Sequence, residues 1–186
     1  MRSRQNFQRA ISFLILAFNP ALSGQTPHLL RVPLVNQDNF VWCWAASGEM
    51  VTAYYKKHIP KCKFVSDKVH DAACCPNGQP DDCSTTGTAQ DLQALLTTYG
   101  FVAPQVSTTA LNWEQATNEI DHKGPFLVTL RGTGEDHMVV VTGYMENSDK
   151  FLVINDPDPN GMTYRTLYDY QSQQTSTITG IGTSGQ

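Results

Sequence analysis

The chain has 186 residues with 13 basic and 17 acidic side chains, a formal net charge of −4. That length builds one domain with a sizeable core and is short for two. At 40% hydrophobic and 16% charged residues the chain is globular, and it has no basic stripe to hold a phosphate backbone, which excludes nucleic acid as a partner.

The first element is a targeting signal. Arg2, Arg4 and Arg9 precede the uncharged apolar run Ala10 to Phe18, and Asn19-Pro20 breaks that run. Ala21-Leu22-Ser23 then offers small residues at the two positions a signal peptidase reads. The run falls well short of the ~20 residues that cross a bilayer. Residues 1–23 are therefore expected to be a signal peptide and 24–186 the mature domain, secreted or periplasmic and without a membrane anchor. Cleavage after Ser23 removes three arginines and leaves a net charge of −7.

A short extended lead follows, Thr26 to Asn36, with Pro27 and Pro33. From Trp42 to Tyr55 the pattern is helical: Trp44, Ala45, Gly48, Val51, Thr52 and Tyr55 recur at i, i+3/i+4 spacing, and Pro60 stops it. Lys61 to Gly87 reads as a loop-rich stretch with Pro76, Asn77-Gly78, Pro80 and Asp81-Asp82. Thr88 to Tyr99 is a second helix, with Leu92, Leu95 and Leu96 inward. Asn112 caps a third, with Trp113, Ala116 and Ile120 inward. The period then changes. Phe126 to Leu130, His137 to Tyr144, Phe151 to Asn155 and Thr163 to Leu167 are short strands, and Thr175 to Ile181 adds a last one. Helices first and strands later make an α+β fold.

Five cysteines fit export. An odd count leaves one thiol over, and Cys43 stands apart from Cys62, Cys74, Cys75 and Cys83. Two disulfides among those four, with Cys43 free, is the simplest allocation. A zinc site would need the paired short spacing that this segment lacks. Adjacent Cα atoms are about 3.8 Å apart while disulfides want about 4.4–6.8 Å, so Cys74–Cys75 is strained. That leaves Cys62–Cys74 with Cys75–Cys83, or Cys62–Cys75 with Cys74–Cys83.

Cys43 lies at a predicted helix start, where backbone N–H groups and the macrodipole favour a thiolate. His137 heads an apolar strand, and Asp156 closes the next one in Asn155-Asp156-Pro157. Neighbouring antiparallel strands bring the two side by side. One residue's step flips a side chain to the other sheet face, so only one of Asn155 and Asp156 can orient the imidazole. A thiol nucleophile needs such a base, the base needs an orienting acceptor, and the nascent oxyanion needs donors.

Gln37, five residues, then Cys43-Trp44-Ala45-Ala46, with His137-Met138-Val139-Val140 and Ile154-Asn155-Asp156-Pro157, resembles the papain-like cysteine peptidases. Within them it resembles the compact bacterial branch and the peptidases that process bacteriocin leaders. Phe40-Val41-Trp42 stands where plant and animal members carry Cys-Gly-Ser, and His137 follows Cys43 by 94 positions. The resemblance implies a helical half carrying Cys43 and an antiparallel sheet carrying His137 and Asp156. It implies that Gln37 binds the oxyanion with the Cys43 N–H, and it favours Asp156 over Asn155. The expected function is hydrolysis of peptide bonds through an acyl-enzyme, on protein or peptide substrates, by a monomer needing no cofactor or metal. About a dozen residues separate Ser23 from Gln37, little room for an inhibitory propeptide, so restraint falls to a proteinaceous inhibitor or to export. The alternatives are another amide-directed thiol enzyme (peptidoglycan hydrolase, deamidase or acyltransferase toxin) and a catalytically idle binding module of the same fold.

Overall fold

The computed structural model describes residues 27–75, 83–132, 134–158 and 162–184. The expected signal peptide, and the turns at Pro76 to Asp82 and Pro159 to Gly161, lie outside the described residues.

The helical half comes first. Helix α1 spans Cys43–Tyr54 and is buried from Cys43 to Thr52, so it is a central helix with no wet face. Its one carboxylate, on Glu49, accepts the Lys61 backbone N–H at 2.7 Å and meets His58 Nε2 at 2.8 Å. α1 stops before Lys56, whose φ is +58°. Pro60 is not its terminator but the N-cap of α2, Lys61–Val69, which the sequence pattern assigned to a loop. A 3-10 turn over Ala72–Cys74 follows. Helix α3, Ala89–Thr98, opens on a reciprocal Thr88–Asp91 capping box, and α4, Trp113–His122, opens on Asn112–Gln115 in the same way.

The sheet half follows. A first short strand, β1, is His28–Leu29; β2 is Phe101–Val102 and β3 Gln105–Ser107. Then come β4 Phe126–Leu130, β5 His137–Glu146, β6 Lys150–Asn155 and β7 Met162–Thr166. The tail holds α5, Leu167–Gln173, which the sequence pattern left unassigned, then β8 Gln174–Thr179 and β9 Gly182–Thr183. Among the described residues the main sheet runs β3-β8-β4-β5-β6-β7, with antiparallel neighbours throughout, and β1 pairs with β5. β2 and β9 form a separate pair. A Cβ on Gly143 would lie 2.2 Å from the His28 carbonyl oxygen, so glycine is what admits β1 at this point of β5.

Side chains on β4 and β5 alternate between two cores. Leu127, Met138 and Val140 join α1, α2 and α3 on one face. Phe126, Val128, Leu130, Val139 and Val141 join Ala116 and Ile120 of α4 and Tyr170 of α5 on the other. Burial on both faces explains why these strands read as unbroken apolar runs. The fold is α+β, helices packed on a mostly antiparallel sheet.

Candidate active site

Cys43 is the first residue of α1 and the free cysteine of the five. Trp42 at the N-cap makes no side-chain cap hydrogen bond, so the first-turn N–H groups keep their donor capacity for the cleft beside them. Two bonds seat the helix on the sheet, both to the residue after His137. The Met138 N–H donates to Cys43 Sγ at 3.5 Å, and Ser47 Oγ, one turn along α1, donates to the Met138 carbonyl at 3.0 Å.

His137 opens β5 and Asp156 follows the end of β6. With Val140 opposite Asn155, the residue after the strand falls diagonally across from His137. His137 Nε2 donates to Asp156 Oδ1 at 2.6 Å. Cys43 lines the same cavity as His137, and its side chain is among the groups that favour the imidazolium. Asn155, one step earlier, turns to the other side and donates from Nδ2 to the Val32 carbonyl at 3.1 Å. Burial works against the charged forms of both partners. The hydrogen bonds and charges of Asp156 and Cys43 outweigh it at His137 and raise the imidazole to about 10. At Asp156 burial is outweighed by the bond from His137 and by the Asp158 N–H at 3.0 Å, together with the charges of His137 and Arg165. Its carboxyl is held below the ordinary carboxylate range.

Gln37 shares the cleft. Its backbone N–H donates to the carbonyl of Pro157, the residue after Asp156, at 2.7 Å. One side-chain amide hydrogen goes to the Phe40 carbonyl at 2.9 Å, which leaves the second for another acceptor. A cavity of about 360 Å³ is lined by Gln37, Cys43, Trp44, Gly87, His137 and Asp158. A second, about 490 Å³, meets Cys43 from the other side, between Thr86, Gly87, Thr129, Met138 and Ser176. The thiol therefore lies where two halves of one cleft meet. A larger cavity of about 640 Å³, between Tyr55, Val102, Asp121 and Gly182, shares no lining residue with either.

The structure thus brings Cys43, His137 and Gln37 to one cleft with Asp156 bonded to His137 behind it, and pairs the other cysteines as Cys62–Cys75 and Cys74–Cys83. Sequence reading missed the wall formed by Thr86 and Gly87. A Cβ on Gly87 would lie 2.2 Å from the Trp44 ring, so the wall lies directly on the residue after the thiol. A glycine between a polar run and a helix cap was the available signal.

Comparison with known proteins gives the family and the fold. The family described as Peptidase_C39 like matches residues 29–178. No curated protein matches by sequence. The peptidase domain of Streptococcus ComA, a bi-functional ABC transporter involved in quorum sensing, superposes with a TM-score of 0.59 at 21% identity, over 81% of this chain and 98% of that one. A double glycine motif protease from an AMS/PCAT transporter, in complex with the leader peptide, gives 0.55 at 20% identity over 84% and 94%. A structure concerning the mite allergens Blo t 1 and Der p 1 gives 0.58 at 13% identity over 91% and 74%. The chain belongs to the Peptidase_C39-like family, has the papain-like fold, and is a cysteine peptidase.

Proposed function

We propose that this protein is an exported peptidase that cleaves peptide bonds through Cys43, His137 and Asp156, with Gln37 as oxyanion donor. The observation that carries the reading is the His137–Asp156 pair at 2.6 Å, with His137 on the same cavity as the free thiol of Cys43, at the junction of the two cleft halves. His137, raised to about 10, holds the proton taken from the thiol before substrate arrives, and Sγ attacks the carbonyl carbon of the substrate. The carbonyl oxygen becomes negative and is met by the Cys43 N–H and the free amide hydrogen of Gln37. The His137 imidazolium, held by Asp156, gives its proton to the leaving amine. Water attacks the thioester, His137 takes its proton, and the carboxylic acid leaves as the thiol reforms.

The substrate is a peptide or protein chain. One structural neighbour holds a leader peptide, and the cleft here is open at both sides of the thiol. Export is supported by the signal-like residues 1–23 and by two disulfides, which persist in oxidising compartments. Among the described residues no helix is long and apolar enough to cross a membrane.

A parallel panel of protein, cell-wall peptide and glutamine-amide substrates tests the reading. Turnover of the protein or peptide arm, lost in Cys43→Ala, supports it. Turnover confined to either other arm would assign the same residues to a different amide.

A further inference from the structure

The two disulfides are not equivalent. Cys74 and Cys83 are buried, 1% and 0% exposed, whereas Cys62 and Cys75 are partly exposed. The buried bond holds Cys83, whose carbonyl accepts from Trp42 Nε1 at 2.7 Å, one residue before the thiol. Asn39 Nδ2 donates to Ser84 Oγ at 2.8 Å, and Trp44 Nε1, one residue after the thiol, donates to the Thr85 carbonyl at 3.1 Å. The chain then passes through Thr86 and Gly87, which line both halves of the cleft. Ser84 to Gly87 belong to no helix or strand. Their place is set by these anchors and by the α3 cap at Thr88.

We propose that the Cys74–Cys83 disulfide, acting through Cys83 and the Trp42 indole, positions the Thr86–Gly87 wall for a bound substrate chain, so that peptide cleavage requires this one bond to be oxidised. The proposal rests on the peptidase reading above and names its regulation. A dithiol reductant would supply two electrons and two protons, becoming a disulfide itself, and leave Cys74 and Cys83 as separate thiols. The Cys83 carbonyl then loses its covalent anchor and the wall is held only from α3 and by side-chain hydrogen bonds. The nucleophile keeps its own supports, the Met138 N–H and the Ser47–Met138 bond, which do not involve the disulfide. Cys83 and Trp42 are therefore positioning residues, and the chain would stay idle before export into an oxidising compartment.

The test compares the oxidised full chain with Cys74→Ser/Cys83→Ser, Cys62→Ser/Cys75→Ser and Trp42→Phe. Each is labelled at Cys43 with iodoacetamide, which needs no wall, and with a peptidyl epoxide, which does. Amide exchange is followed over 84–87. The expected result is that Cys74→Ser/Cys83→Ser loses protection over 84–87 and slows the epoxide about tenfold or more, as misplaced binding groups do. Its iodoacetamide rate should stay near wild type. Cys62→Ser/Cys75→Ser should keep both rates. If the first double variant does not fold, Trp42→Phe, which keeps the disulfide but lacks the indole donor, decides through the same selective loss. Equal loss with both reagents, an unchanged epoxide rate, or equal effects of the two double variants would overturn the proposal. If neither reagent labels wild-type Cys43, the peptidase reading fails, and exchange over 84–87 still decides whether this disulfide holds the wall.

Discussion

In the proposed mechanism His137 is the residue that takes and returns the proton. Burial alone would lower its affinity for a proton, yet the Asp156 carboxylate at 2.6 Å and the Cys43 side chain in the same cavity raise it from 6.5 to about 10. A raised folded value stabilises the native state fully below pH 6.5 and loses that contribution as pH climbs toward about 10. Asp156 works in the opposite sense: its contribution is present above its ordinary value of 3.8 and is lost as pH falls below it. Urea unfolding should therefore give a higher midpoint at pH 5.5 than at pH 9.5, and Asp156→Asn should shrink that difference. The same variant should move the alkaline limb of kcat/KM to lower pH, because the imidazolium loses the carboxylate that holds it. A limb that stays in place would remove Asp156 from the orienting role. At Gln37 the expectation is narrower. Gln37→Ala should lower kcat by about 10²–10³ with KM little changed, the signature of a donor used mainly in the transition state.

Among the elements, α1 and the Thr86–Gly87 wall depend on one close contact. Gly87→Ala places a methyl group 2.2 Å from the Trp44 ring, and relief requires the wall to move. Overpacking of this kind costs about 1–3 kcal/mol, so thermal unfolding should come earlier and peptide turnover should fall together. An unchanged melting temperature would mean that the wall has slack. The sequence made most elements legible because their burial follows a simple period. β4 was read residue for residue, since both of its faces are apolar and turn residues bound it. α2 was not legible: Lys61-Cys62-Lys63-Phe64-Val65 buries only Phe64 and Val65, and the helix is held by α1 and the Cys62–Cys75 bond rather than by an amphipathic stripe. α5 was hidden for a similar reason, as Tyr170 is its one buried residue in a Gln- and Ser-rich stretch. At the site, spacing gave the residues but not the choice between Asn155 and Asp156. That depends on which face of the sheet each side chain takes, a property of register. Here the register sends Asn155 to Val32 and leaves Asp156 against His137.

At the scale of the molecule, two crosslinks bind the helical half, and one thiol stays outside them. Each disulfide should add roughly 2–4 kcal/mol by restricting the unfolded chain. Mild reduction should lower the melting temperature, and peptide mapping without reductant should find a single alkylated cysteine, Cys43. Alkylation at any other cysteine of the oxidised protein would contradict the pairing. The central claim is that the cleft at Cys43 cleaves peptide bonds, and the most direct measurement is the appearance of new N-termini. A complex peptide mixture is incubated with wild-type protein and with Cys43→Ala, and the products are sequenced by mass spectrometry. New termini sharing a preference around the cut, formed by the wild type and absent with Cys43→Ala, are the predicted result; the same termini from both proteins, or none from a wild type whose Cys43 is free, would contradict it.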